Sequence, residues 1–257
     1  RFGVEQRKKL INQSGLIPDQ LVMTATPIPR TTALSIYGDL EISSINEMPP
    51  GRKEVISYLF SGLKSDNNAV FDKCIDHLSN NSQIFVVCPF IEESESSDIQ
   101  SAENVYSLYK EKFINHNVKI LHGRMSFDEK DQIMNEMKKG EIDILVSTVV
   151  IEVGIDIPNA SLMIIESAER FGLNQLHQLR GRVGRGEKQS ECIFHITNKK
   201  SLLTISDDGK KRLEAIVEIK DGFKLSEIDL EIRGEGKVTG TSQSGQSDLK
   251  IADLRFD

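Results

Sequence analysis

The sequence predicts an α/β fold built on a doubly wound parallel sheet, and three observations lead there. First, runs such as QIFVVCPF (83–90), IDILVST (142–148) and SLMIIE (161–166) are almost continuously apolar and rich in Val and Ile. That is the pattern of strands buried on both faces of a parallel sheet. Second, stretches of helical period lie between them. Third, strand and helix alternate along the chain, which implies right-handed βαβ crossovers.

Taken in order, residues 1–51 hold one expected strand, QLVMTA (20–25), and then TATPIPR (24–30). Its two prolines force an extended or turned segment. Thr24 and Thr26 offer hydroxyls there, although the same residues also suit an ordinary strand-to-helix turn. Pro49-Pro50-Gly51 reads as a linker. Residues 52–198 form a self-sufficient α/β unit, with further strands expected at 54–60, 118–121 and 191–196. Helices are expected near 66–80, 102–115, 126–139 and 174–182, the third starting with a capping box, Ser126 with Glu129, and stopping at Gly140. The Ser-rich stretch 92–101 reads as a mobile surface loop. Residues 199–257 carry charged helical patterns at 208–220 and 225–233 and a polar, Gly-rich tail, GEGKVTGTSQSG (234–245).

At 257 residues, with 38% hydrophobic and 28% charged residues, the chain suits one large domain or two smaller ones with their own cores. A net charge of −7 excludes bulk electrostatic binding to nucleic acid, so any such contact would come from local patches. Cys74, Cys88 and Cys192 form no CxxC pair, which fits neither a disulfide framework nor a zinc ribbon and points to a reducing, cytoplasmic setting. No apolar run approaches the ~20 residues of a membrane span.

The stretch most able to do chemistry is QLHQLRGRVGRG (175–186), which sets Arg180, Arg182 and Arg185 among Gly181, Gly184 and Gly186, with Gln178 just upstream. Arginine is a permanent, planar fork that grips phosphate bidentately. Arg182 and Arg185 are three apart and share a helical face. Spacing alone also allows a solvated basic helix end. Ligands of open α/β sheets sit beyond the carboxyl ends of the strands. Thr148 ends a strand there, with a hydroxyl suited to a phosphate oxygen. Gly154 and Asp156 follow in the next turn, where Asp156 either accepts from a ribose hydroxyl or caps the turn before Pro158. His122 closes another strand, as a ligand or a structural hydrogen-bonder. There is no GxxxxGK[ST] phosphate loop and no acidic box after a strand, so no metal ligand is expected here and the chain alone should not hydrolyse ATP.

The ordered set TATPIPR, LHGRM, STVVIEVGIDIPNA and QLHQLRGRVGRG resembles the later motifs of superfamily 2 helicases. The wording at 21–53 and 221–254 is similar to the RecG family, ATP-dependent DNA helicases that remodel branched DNA. That resemblance implies two RecA-like lobes with ATP and Mg2+ in the cleft between them. It makes 1–51 a remnant of the first lobe, 52–198 the second RecA-like lobe, and 199–257 the translocation hairpin and tail shared with Mfd. The main phosphate and metal ligands would then lie in first-lobe sequence upstream of this chain. By the same resemblance Thr24 and Thr26 would couple nucleotide to DNA, Thr148 would touch the DNA backbone, and Gly154 and Asp156 would lie near the nucleotide. Gln178 would sense the γ-phosphate, Arg182 and Arg185 would act as arginine fingers, and Arg233 and Gln243 would belong to the translocation segment. The partners implied are ATP, double-stranded or branched DNA and the remaining part of the same protein, with no membrane. The alternatives are an Mfd-like translocase, a non-catalytic nucleic-acid-binding or regulatory module, and a small-molecule enzyme that uses the arginines for a phosphorylated substrate.

Overall fold

The computed structural model describes residues 21, 23, 43, 45, 52–61, 63–89, 95–148, 157–197 and 203–233. Its centre is a six-stranded sheet of β1 (Ile56–Phe60), β2 (Gln83–Cys88), β3 (Val118–Leu121), β4 (Ile144–Thr148), β5 (Ala160–Glu166) and β6 (Glu191–His195). The spatial order is β1-β6-β5-β2-β4-β3, and every pairing is parallel. The helices are α1 (Lys64–Ser79), α2 (Glu95–Lys112), α3 (Phe127–Lys138), α4 (Leu173–Arg180), α5 (Asp207–Glu218) and α6 (Gly222–Arg233).

The continuous apolar strands exist because both faces of the sheet are covered. All residues of β2, β4, β5 and β6 are buried. Side chains alternate between the faces: Phe85 and Val87 join one core cluster, while Ile84, Val86 and Cys88 join the other. The first cluster takes Met137 from α3, Leu173, Leu176 and Leu179 from α4, Leu213 and Ile216 from α5, and Leu225 from α6. The second takes Val70 and Cys74 from α1, Tyr109 from α2 and Phe113 directly after it. This division follows the strand order. The chain moves one way along the sheet through α1 and α2 and the other way through α3 and α4, so right-handed crossovers put the two pairs on opposite faces.

The expected doubly wound sheet is therefore present, and β3 spans the expected 118–121. The capping box of α3 is formed: Ser126 Oγ accepts from Glu129 N at 3.3 Å and Ser126 N donates to Glu129 Oε2 at 2.8 Å. Gly140 takes φ +77°, a value that ends the helix and that side-chain-bearing residues resist. One expectation is corrected. The Ser-rich stretch read as a loop is helical from Glu95, inside an 18-residue helix. The stretch has a polar composition, while Ala102 and Tyr109, with Phe113 just beyond the helix end, bind the helix to the core. The strand expected at 20–25 and the tail at 234–245 lie outside the described residues, apart from Leu21 and Met23.

Candidate functional site

The arginine-rich stretch begins on α4, whose apolar residues Leu173, Leu176 and Leu179 face the core. Gly172 N donates to Gln175 Oε1 at 3.1 Å at the helix start. The helix closes as Gly181 N donates to His177 O at 3.1 Å and Arg182 N to Leu179 O at 3.0 Å. Val183 is then fully buried and pins the chain, while Arg182 is half-buried and Arg185 exposed.

The three arginines do not act together. Arg180 is only 6% exposed and turns inward. Its Nη1 donates to Ile216 O at 2.7 Å and Ile219 O at 3.0 Å, and its Nη2 to Lys220 O at 3.3 Å. These carbonyls belong to the end of α5, where unpaired acceptors and the negative helix pole favour a cation. Arg180 is thus a strut between α4 and α5, which corrects its grouping with the phosphate-directed arginines. The cause is helical phase: Arg180 follows Leu173 by seven and Leu176 by four, so it lies on the apolar face. Asn174 Nδ2 adds a second tie, donating to Asp229 Oδ2 of α6 at 3.0 Å. Beside Arg180, burial first and the guanidinium second push the His177 imidazole down to about 4, with Asp221 opposing, so it is neutral at physiological pH.

The loop after α4 is clamped. Gly184 takes φ +78°, and a Cβ there would lie 2.9 Å from Val55 Cγ2. A Cβ on Gly186 would lie 2.3 Å from Pro158 O. Arg185 therefore sits between two positions that only glycine fits. Arg52 Nε donates to Gly184 O at 2.9 Å and Arg52 Nη2 to Gly181 O at 3.4 Å. Lys188 Nζ donates to Asn80 O at 2.8 Å, Asn81 O at 3.0 Å, Ser82 Oγ at 3.1 Å and Asn159 Oδ1 at 3.1 Å.

These anchors precede β1, β2 and β5, so the arginine loop lies at the amino edge of the sheet. Thr148 and His122 lie at the carboxyl edge as expected, whereas the arginine loop is delivered to the opposite edge because α4 starts beyond the carboxyl end of β5 and runs back along the sheet. Thr148 is 1% exposed, and neither its Oγ1 nor Ser147 Oγ has a hydrogen-bond partner among the described residues. His122 Nδ1 is likewise buried and unpartnered among them. Gln178 is half-buried on α4. Arg233 is the last residue of α6, while Thr24, Thr26, Gly154, Asp156 and Gln243 lie outside the described residues.

Sequence reasoning missed a buried carboxylate at each edge. At the carboxyl edge, Glu166 Oε2 lies 2.6 Å from His195 Nδ1, Tyr109 Oη donates to Glu166 Oε1 at 3.2 Å, and His195 Nε2 lies 2.9 Å from Asn67 Oδ1. Burial alone would lower the His195 imidazolium, but its hydrogen bond and charge attraction to Glu166 win and raise it. At the amino edge, Glu191 accepts from Lys73 Nζ at 2.8 Å and Tyr58 Oη at 3.2 Å, with His77 Nε2 at 3.2 Å. Burial opposes its ionisation, yet the Lys73 and His77 hydrogen bonds hold its carboxyl below the ordinary range. Isolated carboxylates inside apolar runs carry no sequence signal of such pairing. Both are satisfied internally, and among the described residues no group of three or more His, Cys, Asp or Glu could hold a metal. The three cysteines are free and buried, with thiols raised by desolvation. None of the described helices is long and apolar enough to cross a membrane.

Comparison with known proteins returns two families. Residues 66–187 match the helicase conserved C-terminal domain, and residues 219–257 match the C-terminal part of domain 3 of the ATP-dependent DNA helicase RecG. The chain is 48% identical over 258 residues to the ATP-dependent DNA helicase RecG of Bacillus subtilis (strain 168), covering 100% of this chain and 36% of that protein. It is 49% identical over 255 residues to its counterpart in Aquifex aeolicus (strain VF5), covering 99% of this chain and 32% of that protein. The chain thus spans about a third of the length of these relatives. Among solved structures, that of RecG bound to a three-way DNA junction superposes with a TM-score of 0.72 at 43% identity, covering 94% of this chain and 30% of the other.

Proposed function

The chain belongs to the RecG family of superfamily 2 helicases along the segment that it spans, and from that premise we propose that it is the C-terminal motor portion of an ATP-dependent DNA helicase or translocase. The whole protein would remodel branched DNA, such as replication forks and Holliday junctions, in repair and recombination. It would work in the cytoplasm on double-stranded and branched DNA. In this reading residues 1–51 end the first RecA-like lobe, 52–198 are the second, and 199–257 are the translocation hairpin and tail.

One observation carries the proposal. A loop pinned by Gly184 and Gly186 holds Arg182 and Arg185 at the sheet's amino edge, while Arg180 of the same stretch grips the end of α5. Arg182 and Arg185 would stabilise charge that develops on a transferred phosphoryl group, an effect worth roughly 10³–10⁵ in rate elsewhere. Gln178 would sense the γ-phosphate, and Gly154 and Asp156 would hold the nucleotide. Magnesium and the phosphate loop would come from the first lobe, because this sequence has neither a GxxxxGK[ST] loop nor an acidic box after a strand. The loop supplies guanidinium groups, Arg182 and Arg185, suited to the arginine side of such a cleft.

Movement would reach DNA through the struts. Closure of the lobes on ATP loads the arginine loop, α4 moves with it, and Arg180 and Asn174 carry the motion to α5 and α6. Thr148 would meet phosphates on the DNA side, Thr24 and Thr26 would couple nucleotide binding to that side, and Arg233 and Gln243 would belong to the translocation segment. Phosphate contacts carry no base code, so substrate choice would follow DNA shape and binding would weaken steeply with salt. The test is Arg185→Ala in the full-length protein. It should lose most DNA-stimulated ATP hydrolysis while keeping DNA affinity, and a wild-type hydrolysis rate would overturn the reading.

A further inference from the structure

We propose that Arg52 is a positioning residue for phosphoryl transfer, fixing the loop that presents Arg182 and Arg185. The proposal deepens the motor reading and rests on it. A loop with glycines at 181, 184 and 186 is intrinsically loose, because each glycine leaves many backbone conformations open. A charge-stabilising arginine, by contrast, must be placed to within about 1 Å, since a larger error costs on the order of 10²-fold in rate. Groups outside the loop have to supply the order.

Downstream, the Gly186 contact with Pro158 and the four-oxygen seat of Lys188 do so. Upstream, Arg52 does. Its guanidinium spans Gly181 O and Gly184 O, the two carbonyls that bracket Arg182 and Val183. A planar fork is well matched to this geometry, because its donors are fixed in one plane and set the spacing of two acceptors, whereas an ammonium's donors rotate about one nitrogen. Gly184 O is presented by a residue at φ +78°, so the bond also holds the left-handed turn directly before Arg185.

Arg52 has a second property that Lys188 lacks. In sequence it directly follows Pro49-Pro50-Gly51, the stretch that joins the first block to this lobe. The residue that orders the arginine loop is thus tied covalently to the connection between lobes, so displacement of that connection reaches the loop through one side chain. Arg52 is assigned no contact with nucleotide or DNA and acts through the loop alone.

The experiment uses the full-length protein and a double-mutant cycle, reading kcat and KM for ATP in DNA-stimulated hydrolysis. Arg52→Ala should lower kcat roughly tenfold or more, with KM within about twofold, because placement in the transition state is lost rather than ground-state binding. In an Arg185→Ala background the same change should cost less than about twofold. Arg52→Lys keeps the charge and much of the stem, so it guards against a variant that fails to fold, and it should lose a factor close to that of Arg52→Ala. A wild-type kcat in Arg52→Ala, full rescue by Arg52→Lys, or an equal cost in both backgrounds would overturn the positioning role. If Arg185→Ala itself hydrolyses at the wild-type rate, the motor reading fails and takes this inference with it. Loss in Arg185→Ala beside a normal Arg52→Ala removes this inference alone.

Discussion

Replacing Arg180 with Met tests whether the arginine helix and the C-terminal helices are one mechanical unit. The change keeps most of the buried stem and removes the guanidinium. Three hydrogen bonds disappear, to Ile216 O, Ile219 O and Lys220 O. Bonds to a charged group contribute about 1.5–3 kcal/mol each before offsets. The offset is substantial here, because burial disfavours the Arg180 cation and no carboxylate among the described residues is paired with it. A net loss of about 2–4 kcal/mol results. Because the bonds link α4 to the end of α5, the loss should appear as local opening of residues 203–233. Amide hydrogen exchange there should accelerate roughly 30- to 700-fold, with the sheet strands little changed. The same variant should retain ATP hydrolysis better than fork unwinding. Unchanged exchange in α5 and α6, or acceleration spread evenly through β2, β4 and β5, would refute the strut.

Five further outcomes are expected. Gly186→Ala places a methyl 2.3 Å from Pro158 O, a backbone atom that cannot swing away, so denaturant unfolding should show a loss of about 1–3 kcal/mol or more. Gly181→Ala meets Gln178 O at 3.4 Å and should fall within about 0.5 kcal/mol of wild type. For His177, whose value falls from an ordinary 6.5 to about 4, the native state binds fewer protons than the unfolded chain between those limits. Its stabilising contribution is therefore complete above 6.5 and is lost as pH falls toward 4, by about 2 kcal/mol after allowance for solvent screening of a half-buried ring. His177→Gln should flatten the melting temperature across that window, and an unaltered slope would contradict the assignment. His195 has the opposite sign: its raised value contributes fully below 6.5 and fades as pH climbs through the folded value, so His195→Gln should cost more under mildly acidic than alkaline conditions. Finally, Gln243→Ala should spare ATP hydrolysis more than fork unwinding, and equal loss of both would count against a transmission role.

The parallel sheet was legible because burial on both faces leaves a plain record, unbroken Val and Ile in β2, β4 and β5. Helix α3 was legible because its ends are written in local chemistry, Ser126 with Glu129 and then Gly140. The first turns of α2 were not, since EESESS carries no apolar period and the helix is held from Ala102 onward. The arginine cluster was visible as a composition but not as a geometry. Arg52 lies 129 residues from Gly181, and no local pattern reports a partner that distant. The same holds for Glu166 with His195 and for Glu191 with Lys73, where pairing across the fold decides the ionisation of each group.

The place of the arginines shows why a strand-end rule reaches only part of this site. The seven-residue strand β5 advances about 23 Å and the eight-residue helix α4 returns about 12 Å, with the segments before and after it covering the rest. A short crossover helix with a turn at each end therefore returns the chain nearly to where the strand began. Residues C-terminal to such a helix are delivered to the amino edge, and this is where Gly184 meets Val55 and Gly186 meets Pro158. Thr148 ends its strand with no helix intervening and stays at the carboxyl edge. The separation has a mechanical consequence. In the proposed roles, the arginines that would act on phosphate and the Thr148 that would meet a DNA backbone stand about one strand length apart at opposite edges of one sheet. Under that proposal, work would pass between them by rotation of the whole lobe or through α4 and its tie to α5. Of these two routes, Arg180→Met severs the second and leaves the first intact.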